Sequence, residues 1–232
     1  MHRSWSKGFT KETHPSLRKT SETMKARKVN NFALWMGQMK KEGKIKSKYP
    51  KLRKSGDLAE FIGVVLGDGH LQKFPRTERL LIFSNSNNPG FVKRYQKITK
   101  ELFRKEPYVY KEKAKNCIRI SLYEKKISER LRIPLGSRKN TKVRVPRWIL
   151  AKDEYVVRYL RGLYEAEGSA MFHKGTSTHK FSFSNFNKSM LDNVFRLMRR
   201  LGFHPHRDHK RVQISRKEEV ARAAELLQFR RY

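Results

Sequence analysis

Cysteine is almost absent from this chain. A single one, Cys117, occurs in 232 residues, which excludes an intrachain disulfide framework and a cysteine-rich zinc site. Acidic residues are scarce too: 21 Asp and Glu face 55 Lys and Arg, a net charge of +34. Such an excess resists compaction unless a polyanion is the partner, which argues against a small neutral substrate and for nucleic acid. Long apolar runs are also missing. The longest, around residues 58–66, is far short of the roughly 18 residues of a membrane span, and no signal-peptide pattern opens the chain. The expectation is a soluble protein with no membrane partner in a reducing, intracellular setting: the cytoplasm or nucleoid of a prokaryote, or an organelle. What is plentiful is hydrophobic (37%) and aromatic (11%) side chains, which fall in periodic segments and exceed what a solvated tail carries.

Residues 1–56 hold 16 Lys and Arg against three acids and read as a basic N-terminal extension that contacts DNA. Met24, Val29, Phe32, Met36 and Met39 fall near helical spacing and predict one helix over 21–41. Pro50 and the basic run 51–54 read as a linker.

Beyond it the sequence repeats at about 100 residues. LAEFIGVVLGDGHLQ from Leu58 resembles VVRYLRGLYEAEGSAM from Val156, and LLIFSNSNNPGFVKRYQKITKELF from Leu80 answers KFSFSNFNKSMLDNVFRLMRRLGF from Lys180. IRISLYEKKISERL from Ile118 answers VQISRKEEVARAAELL from Val212. Three matched blocks in one order mark a duplicated domain, with halves at 57–145 and 146–232. Each copy reads helix, strand, strand, helix, strand, strand, helix. Alternation of Ile118, Ile120 and Leu122 with Arg119 and Ser121 predicts half-buried antiparallel strands with a polar, basic outer face.

Aligning the opening helices pairs Gly63 with Gly162, Gly67 with Ala166, Asp68 with Glu167 and Gly69 with Gly168. Small residues four apart clear one stripe of each helix for close packing against the other. Asp68 and Glu167 would then meet at the helix C-termini, before glycines expected in a left-handed terminating conformation. Carboxylates there oppose the helix dipole and repel each other, so a cation must compensate. Mg²⁺, which accepts carboxylates, water and phosphate oxygens, suits the site. Two such acids facing a basic surface suit hydrolysis of two phosphodiesters, one on each strand.

At FIGVVLGDG from Phe61 and LRGLYEAEG from Leu160 the chain resembles the LAGLIDADG homing endonuclease family in its single-chain, two-motif form. The resemblance implies an α+β class, the duplicated αββαββα LAGLIDADG fold, with two four-stranded antiparallel sheets forming a DNA-binding saddle. It implies a monomeric, Mg²⁺-dependent double-strand DNA endonuclease (Mn²⁺ serving, Ca²⁺ binding without cleavage) cutting a long asymmetric site. The metal would be held by Asp68 and Glu167 with the main-chain carbonyls of Gly67 and Ala166. Glu167 stands where the family usually has Asp, which keeps the charge and makes the half-sites inequivalent. Asn85 and Asn185 match amide positions that order the metal site. Lys139, or its neighbour Arg138, matches a basic residue that stabilises the transition state, and Arg230 or Arg231 is a looser match in the second copy.

The expected DNA-facing residues are Gln72, Lys73, Arg76, Arg79, Lys113, Lys115, Arg119, Lys174, Lys180, Arg207, Lys210, Arg211 and Gln213. Cations would bind phosphates, while Gln and Arg side chains would reach base edges. His204, His206 and His209 lack zinc-finger spacing and read as DNA-facing polar residues. The second reading is a non-cleaving nucleic-acid-binding protein on the same fold: a maturase of its own intron RNA, or a DNA-binding regulator. Two mutually repelling carboxylates favour the nuclease.

Overall fold

A computed structural model describes residues 5–28, 30–112 and 115–232. The chain divides into two compact units, Met1–Tyr49 and Pro50–Tyr232.

The first unit carries α1 (Pro15–Ala26) and α2 (Asn31–Lys41) in place of the single helix expected over 21–41. The break has a local cause. Lys28 adopts a left-handed conformation, and the Asn30 side chain caps the next helix by accepting from the Ala33 amide at 2.9 Å, a bond of about 1 kcal/mol. Val29 lies outside the described residues. Neither helix has a buried residue, and Trp5, Phe9, Phe32, Leu34 and Trp35 are exposed.

The second unit contains both repeats. Ser55 caps α3 (Gly56–Asp68) by accepting from the Leu58 amide, and Asp57 in the first turn suits the helix dipole. Then follow β1 (Gly69–Lys73), β2 (Glu78–Asn85), α4 (Pro89–Phe103), β3 (Tyr108–Lys111), β4 (Cys117–Glu124) and α5 (Ile127–Leu131). After α6 (Arg147–Leu150) the order recurs as α7 (Asp153–Glu167), β5 (Gly168–His173), β6 (Thr178–Ser184), α8 (Lys188–Arg200), β7 (His206–Arg207), β8 (Arg211–Ile214) and α9 (Lys217–Leu226). Two antiparallel four-stranded sheets result, ordered β1-β2-β4-β3 and β5-β6-β8-β7.

The period-2 pattern sets which face each sheet buries. Leu71, Leu80 and Leu122 stand opposite one another, as do Ile82, Ile120 and Val109, and they pack with Phe61, Tyr95 and Phe103 in the core. Phe181, Phe183, Val212 and Ile214 do the same in the second sheet.

α3 and α7 join the halves. A Cβ on Gly63 would overlap the Tyr159 carbonyl oxygen, and one on Gly162 the Glu60 carbonyl oxygen, so only glycine permits this backbone approach. A buried charge cluster locks the same interface. Glu60, fully buried, accepts from Arg94 at 2.6 and 2.8 Å, from Arg158 at 2.7 Å and from the Tyr95 hydroxyl at 3.2 Å. Arg161 lies 3.7 Å away. Burial alone would raise the Glu60 carboxyl, but the Arg94 hydrogen bond and the charges of Arg158, Arg94 and Arg161 hold it below its ordinary value.

Candidate metal centre and nucleic-acid interface

Asp68 and Glu167 are the last residues of α3 and α7, the paired helices, and the negative ends of both dipoles converge on them. A Cβ on Gly67 would overlap the Ala166 methyl and lie 3.2 Å from the Glu167 Cγ, so the preceding residues of the two motifs touch. Burial raises the Asp68 carboxyl, and the charge of Glu167 adds to it, to about 7. Burial likewise raises Glu167. Among the described residues neither acid has a basic partner, and Asp68 has no hydrogen bond.

The following glycines are not left-handed. Gly69 and Gly168 both have φ −90° with ψ near 150°, extended backbone that runs each helix directly into a strand. Their smallness is needed because an added Cβ would lie 2.6 Å from the Val65 Cα in one case and 2.9 Å from the Tyr164 Cα in the other.

The two halves surround their acids differently. Asn185 donates to Glu167 Oε1 at 3.3 Å and accepts from the Asn187 amide at 2.8 Å. The Asn85 side chain makes the matching turn, accepting from the Asn87 amide at 2.9 Å, and among the described residues it has no hydrogen bond to Asp68. The helix N-caps are Asn88 and Asn187, so Asn85 stands three residues before its cap, as the last residue of β2, whereas Asn185 stands two before its cap, just past the end of β6.

Arg138 is the basic residue that enters the interior. Its Nη2 donates to the carbonyls of Val65, at 3.0 Å, and Gly69, placing a guanidinium at the C-terminus of α3. Its Nε and Nη1 are buried without a partner, and burial lowers its proton affinity. Lys139 is exposed and lines, with Gly67, Arg138, Glu167, Asn185 and Arg211, a cleft of about 680 Å³. Asn187, which the sequence reading did not single out, holds this segment by donating to the carbonyls of Arg138 at 2.7 Å and Thr141 at 2.8 Å. Ser189 Oγ accepts from the Val143 amide, and Asn193 donates to the Val143 carbonyl. Its signal was the helix cap position after Asn185, visible as a cap but not as a tether. His70, exposed next to the first motif and lining the cleft, was also missed.

The expected DNA-facing residues separate by strand parity. Gln72, Arg79 and Arg119 lie on the outer face of the first sheet, opposite in parity to Leu71, Leu80, Ile82, Ile120 and Leu122, and Lys180, Arg211 and Gln213 on that of the second. Arg76, Lys115, Lys174 and Lys210 occupy the connections between paired strands. Lys73 shares the parity of buried Leu71 and Arg207 stands opposite buried Val212, so neither is on an outer face. Arg207 instead pairs with Asp192 of α8 at 2.7 Å. Lys113 lies outside the described residues. His204 precedes β7 and bonds Glu219 of α9 through both its amide and Nδ1, at 2.8 and 2.7 Å, which takes it away from the outer face. The first sheet's outer face is also less basic than expected: Phe83, Tyr108, Tyr110 and Tyr123 are exposed on it.

Residues 154–231 match a family model described as a LAGLIDADG-like domain. No curated protein matches the sequence significantly. Among solved structures, the homing endonuclease I-DmoI is similar at 20% identity and a TM-score of 0.52, over 74% of this chain and 94% of that one. The homing endonuclease I-WcaI, bound to its DNA recognition sequence, is similar at 17% and 0.53, over 78% and 83%. The N-terminal LAGLIDADG domain of DUF199/WhiA is similar at 15% and 0.52, over 77% and 85%. These likenesses concern the fold, and they span both repeats. The second repeat thus matches a LAGLIDADG-like domain, and the two repeats together have the duplicated LAGLIDADG fold of these structures, with a motif helix in each half.

Proposed function

We propose that this chain is a sequence-specific homing endonuclease that makes a double-strand break in a long asymmetric DNA site by divalent-metal-dependent phosphodiester hydrolysis, acting as a monomer. The observation that carries the reading is the pair of half-buried carboxyls at abutting helix ends, with no basic partner among the described residues. Their charge is costly where it stands, and a divalent cation is the simplest compensation.

The residues fit such an ion. Asp68 and Glu167 offer oxygens, and the main-chain carbonyls of Gly67 and Ala166 would add to them. Among the described residues no group of three or more His, Cys, Asp or Glu could hold a metal, so protein side chains leave room for water and phosphate. That suits Mg²⁺ or Mn²⁺ better than zinc. Bound there, the ion supplies Lewis-acid charge to phosphate and water. Asp68 and Glu167 hold and place it, each serving one strand. Asn185 fixes the Glu167 carboxylate, and Lys139, exposed at the cleft, serves as the cation for the scissile phosphate.

DNA as the partner is supported by the charge of +34 and by the I-WcaI relative, bound to its recognition sequence. Divalent metal use is supported by the I-DmoI complexes with DNA and Mn or Ca. The test is plasmid cleavage with Mg²⁺ by wild type, Asp68→Asn and Glu167→Gln on a site isolated from a randomised or genomic library. Each single amide should lose double-strand cleavage. Cutting by both variants at the wild-type rate refutes the mechanism.

A further inference from the structure

The two outer sheet faces differ in chemistry. On the first, Phe83, Arg119 and Tyr110 stand directly opposite one another across β2, β4 and β3. Gln72, Arg79 and Tyr123 form a parallel row. The arginines are already engaged. Arg79 donates to Gln72 Oε1 at 2.6 Å and to the Tyr123 hydroxyl at 3.2 Å, with its Nε buried. The Arg119 guanidinium lies 4.8 Å from the centre of the Tyr110 ring. Phe83, on β2 in the first of these rows, is 36% exposed.

The second sheet presents Lys180 beside Met171, Arg211 beside Ser184, and the row Ser169, Ser182, Gln213 and His206. Its described outward strand positions hold no Phe, Tyr or Trp. Among the described residues Lys180 and Arg211 make no ion pair with an acid, unlike Arg207 on the other side of the sheet.

A base pair offers donors, acceptors and, in the major groove, one apolar group, the C5-methyl of thymine. A phenyl ring has nothing to give a donor or an acceptor, and pressing it on either would strip that atom of water without replacing the bond. The methyl is therefore the feature that the Phe83 ring can select. Resting on the DNA-binding reading above, we infer that Phe83 is a specificity-determining residue that selects thymine in the half-site covered by the first repeat. The second repeat reads its half-site through hydrogen bonds from Lys180, Arg211 and Gln213. One face thus recognises shape and methyl groups, the other polar base edges.

Replacing thymine by uracil removes only the methyl. On the site selected from a randomised duplex library, binding of the full chain is measured in EDTA with each thymine changed singly to uracil. At one thymine of one half-site the change should weaken binding about fourfold, the effect of burying one carbon. Phe83→Ala should erase that difference, and Phe83→Leu, which keeps an apolar surface, should retain most of it. If no uracil matters to the wild type, or if the difference persists in Phe83→Ala, the assignment of Phe83 is wrong while DNA binding stands. If the chain selects no site at all, the DNA reading and this assignment fall together.

Discussion

Removing a carboxylate from the paired helix ends should stabilise the protein in the absence of divalent metal. The Asp68 carboxyl is raised from 3.8 to about 7, so the folded chain binds that proton more tightly than the unfolded one. Linkage then gives a stability that falls as pH rises through this interval, with the whole cost present above about pH 7 and none below about pH 4. At about 1.4 kcal/mol for each tenfold change in proton affinity the ceiling is about 4 kcal/mol. Solvent reaches the half-buried Asp68, and screening reduces this to about 1–2 kcal/mol. For a chain of this size that is a melting shift of about 3–6 °C. In EDTA at pH 8, Asp68→Asn should melt higher than wild type by this amount, and the gap should close at pH 4. Adding Mg²⁺ at pH 8 should raise the wild type and leave the variant nearly unmoved. A gap of the same size at both pH values, or equal Mg²⁺ stabilisation of both proteins, would refute the electrostatic account of the site.

Glu60→Ala takes the acceptor from Arg94, Arg158 and the Tyr95 hydroxyl and should cost about 3–5 kcal/mol in urea unfolding, with part recovered when Arg94→Met is added. Glu60 is also a source of acid lability: its carboxyl is depressed, so its contribution is whole above about pH 4.5 and is lost as pH falls through the lower folded value. Arg138→Met removes the donor to the Val65 and Gly69 carbonyls and should cost about 1–3 kcal/mol. Lys139→Ala should leave unfolding unchanged, and equal losses from the two would show that Arg138 is not the interior cation. If about ten phosphates are neutralised, the log–log salt dependence of DNA affinity should have a slope near −9, and a slope near zero would remove the phosphate-contact reading.

Much of this architecture was legible because the signals were local and doubled. Glycines spaced to clear a helix stripe, an acid after each, and the Asn88-Pro89 cap that starts α4 where expected are short-range features, and each half checks the other. What escaped the sequence depends on distant partners or on register. Strand parity turns Arg207 toward Asp192 and Lys73 toward the helix side, and a count of basic residues does not register parity. SN recurs 100 residues on, but Asn85 ends its strand three residues before the helix cap while Asn185 lies past its strand and two before the cap, and only Asn185 bonds its acid. Nothing local distinguishes Arg138 from Lys139. The difference is made by carbonyls about 70 residues earlier and by Asn187 about 50 later. The helix over 21–41 was broken by an asparagine cap that hydrophobic spacing alone did not reveal.

The stretch joining the repeats has dual allegiance: Arg138 sends its side chain to the end of α3, while its own carbonyl, with those of Thr141 and Val143, is held by asparagines around α8. Chimaeras that trade one repeat for a cousin's cannot treat it as a neutral splice. A crossover between 138 and 143 keeps its wiring only if Asn187, Ser189 and Asn193 travel with the donor segment, and recombination that ignores this would yield two sound halves with a badly seated hinge between them.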